Sequence, residues 1–144
     1  MSASPPEPAV PARLSWLADL QARPPDSDLG PLQLAWLGDA VWELHQRLER
    51  CRTPARARDL HRQVVDEVRA EAQARLLAKL EPRLTPAEAD LVRRARNRAG
   101  RGPRGSDPAT YARATGFEAL LGWLFLHDPP RLVVLLDHLQ HHNP

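Results

Sequence analysis

Lysine is nearly absent from this sequence: Lys79 is the only one, and every other residue among its 20 lysines and arginines is arginine. Cysteine is almost as scarce. The lone Cys51 excludes an internal disulfide and fits a reducing compartment. Residues 1–12, M-S-A-S-P-P-E-P-A-V-P-A, lack the basic start and apolar stretch of a secretory leader. No apolar run approaches the ~20 residues that a membrane helix requires, so the chain is expected to be cytoplasmic, with no membrane partner. Nowhere do apolar and polar residues alternate with the period of a strand, and no internal repeat occurs. H-E-x-x-H, the phosphate-cradling P-loop and the nucleophile elbow are all missing, which argues against zinc peptidase, nucleotide-hydrolase and serine-hydrolase chemistry.

What remains is a chain of 144 residues, 42% apolar, enough for one helical core. The expectation is an all-α fold in a single domain over 13–144, behind a proline-rich, disordered lead-in at 1–12. Leu14, Leu17 and Leu20 mark a short amphipathic helix. A second helix should begin near Pro31 and run to about Arg50, packing on a stripe of Leu34, Leu37, Val41, Leu44 and Leu48. Thr53-Pro54 opens a third that reaches about Leu80 with Leu60, Val64, Val68 and Leu76 near one face. Thr85-Pro86-Ala87-Glu88 is a capping box opening a fourth. Ser106 or Asp107, with Pro108, starts a very apolar helix to about His127, and Pro129-Pro130 separates it from a last helix with Leu132, Val133, Leu135, Leu136 and Leu139. His138, His141 and His142 sit beside the end of the chain and read as a solvated helix terminus.

Two acids stand in unusually apolar surroundings. On a helical wheel Asp39 lies roughly opposite the leucine stripe, flanked by Ala35, Trp36 and Trp42, with Gly38 before it. A glycine inside a helix costs ~1 kcal/mol relative to alanine, and here it suggests close approach by another backbone. Glu118 is the only charged residue between Arg113 and His127, set among Phe117, Leu120, Leu121, Trp123, Leu124 and Phe125, with Gly116 and Gly122 permitting tight packing. An isolated buried carboxylate costs several kcal/mol unless it is paired or binds metal. Each acid alone could form an ion pair with one of the many arginines. Two central helices with the same feature favour a shared site of hard oxygen ligands, suited to Mg²⁺ or Mn²⁺.

The formal charge is only +2, with a pI near 9.3. A GC-rich genome would give the same arginine bias through codon usage, but that does not explain where the arginines sit. From Arg93 to Arg104 the sequence reads R-R-A-R-N-R-A-G-R-G-P-R, six arginines and no acid. Guanidinium forks suit phosphate oxygens. Arg96 and Arg98 could merely complement a helix dipole; Arg101 and Arg104, beyond the helix end, point instead to phosphate binding.

Together these residues resemble the Mini-ribonuclease III family, the reduced branch of the ribonuclease III nucleases. The resemblance rests on L-A-W-L-G-D-A-V-W-E at 34–43, Leu60-His61 followed by V-R-A-E-A-Q-A at 68–74, R-R-A-R-N at 93–97, and A-T-G-F-E-A-L-L-G-W-L-F-L at 114–126. All four blocks occur in the family's order, over roughly residues 30–127. The resemblance implies a dimeric, all-helical endonuclease that uses Mg²⁺, or Mn²⁺, to cut double-stranded RNA, leaving 5′-phosphate and 3′-hydroxyl ends. It further implies maturation of precursor large-subunit ribosomal RNA, with a ribosomal protein as a candidate helper. By position, Asp39 and Glu118 become the catalytic, metal-binding acids, and Arg93, Arg94, Arg96, Asn97 and Arg98 the basic segment beside the RNA, joined by Arg101 and Arg104 of the loop. Ala35 and Thr115 stand where the wider ribonuclease III pattern has a glutamate and an aspartate. A separate double-stranded RNA-binding domain is not expected, since only residues 128–144 follow the second acid helix. Two other readings stay open: a non-catalytic RNA-binding or ribosome-assembly factor whose acids are structural ion pairs, and a helical protein-interaction module.

Overall fold

A computed structural model describes residues 29–52 and 66–141, and among them every regular element is helical. We number the helices α1 (Pro31–Arg52), α2 (Asp66–Leu80), α3 (Pro86–Arg98), α4 (Pro108–His127) and α5 (Pro129–His141), with a 3₁₀ turn at Glu81–Arg83 after α2. The expected helix over Leu14–Leu20, the Thr53-Pro54 start with Leu60, His61 and Val64, and the lead-in at 1–12 lie outside the described residues.

Local chemistry sets the helix ends. At α3 the Thr85 hydroxyl accepts from the Glu88 backbone N–H at 3.2 Å while Glu88 accepts from the Thr85 N–H at 2.9 Å, the reciprocal capping box expected from the sequence. Asp107 caps α4 by accepting from the Thr110 N–H at 3.1 Å, and Asp128 accepts from the Arg131 N–H at 3.2 Å at the start of α5. Arg131 also donates to Glu88, whose side chain is only 3% exposed, and to the Arg83 carbonyl, so α5 is tied to the start of α3. Burial alone would raise the Glu88 pKa; the hydrogen bonds from Arg131 and Thr85 outweigh it and hold the carboxyl below its usual range.

α4 is the centre of the fold and touches the other four helices. Its Phe117, Leu120, Leu121 and Leu124 are fully buried against Leu77 and Leu80 of α2 and Leu132, Leu135, Leu136 and Leu139 of α5. On its other flank Ala119 packs with Leu34 and Ala35 of α1 and Leu91 and Ala95 of α3. Val133, named with the leucines of the last helix, is 57% exposed. No helix among the described residues is long and apolar enough to cross a membrane.

The packed face of α1 differs from the leucine stripe. Its buried residues are Pro31, Leu34, Ala35, Gly38 and Trp42, whereas Leu44 and Leu48 are about half exposed. The cause is the α1–α4 crossing, made by small residues. A Cβ on Gly38 would sit 1.7 Å from the Glu118 carbonyl oxygen, and one on Gly122 2.1 Å from that of Leu34. The two backbones therefore touch, as Gly38 suggested, and the contact face turns toward the glycine side of the helix. Trp42 closes its lower edge with an edge-to-face contact on Phe117, centroids 5.1 Å apart.

Candidate active site

This crossing positions both acids. Asp39 follows Gly38 on α1, and Glu118 contributes the carbonyl against which Gly38 rests. At about 100° per residue, Asp39 lies about 40° from Ala35 and about 60° from Trp42. It sits on the rim of the packed face instead of opposite it, and its side chain is 42% exposed, not buried. Glu118 is the deeper of the two. Burial foremost, then the nearby negative charge of Asp39, pushes its carboxyl up from 4.5 to about 7, against the opposing pull of Arg69 and Gln73.

α2 closes the third side with residues that the sequence did not mark as part of a site. Arg69 donates to Asp39 and, at 3.0 Å, to Glu43, the acid one turn after Asp39 on α1. One turn beyond Arg69, Gln73 is 1% exposed, and it helps to hold Glu118 in the charged form. Its Nε2 nevertheless makes no hydrogen bond of ordinary geometry to any described atom. The signal that could have found these three was spacing: Asp39/Glu43 and Arg69/Gln73 are both i, i+4 pairs, each on one helix face. The alternating charges around Arg69 concealed it.

Ala35 and Thr115, which the resemblance sets at two further acid positions of the wider pattern, are engaged elsewhere. Ala35 is packed in the α1–α3–α4 core, and the Thr115 hydroxyl donates to the Tyr111 carbonyl within its own helix at 3.0 Å. Neither offers a metal ligand, and among the described residues no three His, Cys, Asp or Glu side chains form a ready-made metal cage.

The basic residues divide into two places. Arg93, Arg96 and Asn97 line one groove of about 370 Å³ with Ala112 of α4. Asp90 partly neutralises its rim, pairing with Arg93 at 2.5 Å and Arg94 at 3.1 Å. Gly116 abuts Val92 and Arg96 and lies about 200° around α4 from Glu118, so this groove is on a different flank from the acids. Arg98, at the end of α3, is exposed. The loop that follows returns to the acid side. Gly100, Gly102 and Gly105 all have positive φ, and a Cβ on Gly102 would lie 2.5 Å from the Tyr111 ring. Tyr111 precedes Glu118 by seven residues, about two turns, so the residue on which this loop rests lies near the same face of α4. Among the described residues Arg101 and Arg104 make no ion pair, and both are exposed.

The ribonuclease III domain family matches residues 32–129 of this chain. The Mini-ribonuclease 3 of Gloeobacter violaceus is 56% identical over 113 residues, which cover 76% of this chain and 84% of that protein. That of a Synechococcus species is 50% identical over 111 residues, covering 77% and 80%. The crystal structure of a Fusobacterium nucleatum protein superposes with a TM-score of 0.64 at 27% identity, covering 77% of this chain and 95% of that one.

Proposed function

Because this chain belongs to the ribonuclease III family, in its Mini-ribonuclease III branch, we propose that it is a metal-dependent endonuclease of double-stranded RNA in which Asp39 and Glu118 hold the metal. The observation that carries this reading is the pair itself: two carboxylates on crossing helices, one largely buried, close enough for one charge to raise the pKa of the other. With both acids charged such a pair favours a cation, and its hard oxygens suit Mg²⁺ or Mn²⁺. Two protein carboxylates suffice if phosphate oxygens of the RNA complete the coordination. A bound divalent ion would supply a nucleophilic water at neutral pH and offset charge on the scissile phosphate.

The protein's own groups do the rest. Glu118, in the drier position, and Asp39, on the rim, define where the phosphate must sit. Arg101 and Arg104 hold neighbouring phosphates from the same flank of α4. Arg93, Arg94, Arg96, Asn97 and Arg98 give the backbone further contacts on the other flank. Cleavage leaves a 5′ phosphate and a 3′ hydroxyl. The cellular substrate is precursor large-subunit ribosomal RNA in the cytoplasm, with a ribosomal protein as candidate helper. The working unit is a homodimer, since one Asp39/Glu118 pair per chain meets one strand and a two-fold pair of sites matches antiparallel strands. Trp36, 82% exposed, and Leu32, one turn away and 47% exposed, supply apolar surface for the second copy.

One observation favours a second reading. Asp39 already pairs with Arg69, as a structural acid would in a non-catalytic RNA-binding or ribosome-assembly factor. Incubating the purified chain with a long RNA duplex, with and without Mg²⁺, separates the two. Metal-dependent fragments that disappear in Asp39→Asn and Glu118→Gln support the nuclease. Binding without cleavage under any divalent metal supports the assembly factor.

A further inference from the structure

Arg69 is anchored on α2 but spends its guanidinium on α1, where it bridges Asp39 and Glu43. The guanidinium occupies one oxygen of Asp39 and sets a full positive charge beside the carboxylate a metal ion would use, so guanidinium and metal compete for the same group. A guanidinium does not deprotonate in proteins. It can therefore yield its place only by moving. Its surroundings allow that: the Arg69 side chain is 28% exposed, and its partners Asp39 and Glu43 are 42% and 44% exposed, so solvent reaches the pair on one side. Solvent on that side screens the pair and lowers what it contributes to stability.

Gln73, one turn along the same face of α2, is the contrasting case. It is 1% exposed, and it lies close enough to Glu118 to favour that residue's charged form. A neutral amide offers Glu118 a donor without competing for the charge. α2 thus carries one arm open to solvent and one that is buried.

Resting on the acid-site reading above, we propose that Arg69 is the resident cation of the site, occupying Asp39 and Glu43 until a divalent metal displaces it. Metal affinity is then set by a competition internal to the chain, and in the metal-bound protein the Arg69 guanidinium is turned out toward solvent beside the site.

The test is calorimetric titration of the full chain with Mn²⁺ alone, without RNA. Arg69→Gln removes the competitor and should tighten Mn²⁺ binding about fivefold or more, the factor that corresponds to about 1 kcal/mol. Arg69→Lys keeps the charge but loses the fork that spans two carboxylates, and should fall between Arg69→Gln and wild type. In the wild-type chain, the Arg69 side-chain N–H resonance, assigned by its absence in Arg69→Lys, should shift on addition of Mg²⁺. Unchanged or weaker Mn²⁺ binding in folded Arg69→Gln overturns the proposal, as does an Arg69 resonance indifferent to saturating Mg²⁺. Asp39→Asn keeps the two levels apart: it should lose Mn²⁺ binding, and wild-type affinity there would overturn the acid-site reading itself.

Discussion

Replacing Glu118 by glutamine should make the metal-free protein more stable, and increasingly so as pH rises. In the unfolded chain this carboxyl titrates near its ordinary value of 4.5, whereas in the fold it is pushed up to about 7, foremost by burial and then by the charge of Asp39. Between those values the folded chain binds the proton more tightly than the unfolded one. Stability therefore falls as pH climbs through this window and levels off above about 7. At ~1.4 kcal/mol per pH unit, the cost at pH 8 is on the order of 3 kcal/mol. Glutamine keeps the shape, carries no charge and escapes that cost. For a domain of this size the difference is roughly 10 °C in melting temperature at pH 8, shrinking toward zero at pH 5. Thermal melts followed by circular dichroism from pH 5 to 8.5, with EDTA present, measure it directly. Saturating Mg²⁺ should flatten the wild-type slope by mass action while leaving Glu118→Gln unmoved. If Glu118→Gln melts below wild type at pH 8, Arg69 and Gln73 compensate the buried charge in full, and the case for a site that needs an external cation collapses.

Three other perturbations probe separate parts of the structure. Gly38→Ala gains ~1 kcal/mol of helix propensity but drives a methyl into the Glu118 carbonyl, and overpacking costs roughly 1–3 kcal/mol or more; urea melts should show net destabilisation, and a gain in stability would mean that the helices do not touch there. Arg101→Ala with Arg104→Ala should make the salt dependence of duplex binding shallower, the slope of log K against log salt dropping by nearly one for each RNA phosphate that an arginine no longer neutralises. An unchanged slope means the loop faces away from RNA. Sedimentation equilibrium should find a dimer for wild type and a weakened one for Trp36→Glu, with a wild-type monomer at concentrations that cut both strands counting against the paired-site arrangement.

Most of the helical layout could be read from the residues because it is written locally. The Thr85 capping box, Asp107 with Pro108, and the Gly100–Gly105 loop each fix an end within a few residues of sequence. Gly38 was legible too, since a mid-helix glycine beside an acid has few other reasons to exist. The orientation of α1 was not. Hydrophobicity favoured the leucine stripe, but backbone contact at Gly38 and Gly122 turned the face toward small residues, leaving Leu44 and Leu48 in water and Asp39 at the rim. Arg69, Gln73 and Glu43 escaped for a different reason. Their i, i+4 spacing can be read along each helix, but it gains meaning only once α1 and α2 are known to face one another, and that fact is local to neither.

The glycine crossing also bears on how this protein can change. Elsewhere in the core, side chains separate the helices, so a leucine exchanged for methionine shifts one helix against another by some fraction of an ångström. At Gly38 and Gly122 main chain rests on main chain, and the separation of α1 from α4 there does not depend on any side chain. Residues such as Leu77, Leu135 or Leu139 can drift over generations, and loops can lengthen, while the spacing between Asp39 and Glu118 stays as it was. Changes in the side-chain core are thereby loosely coupled to the placement of the two acids, which depends first on the absence of a side chain at Gly38 and Gly122.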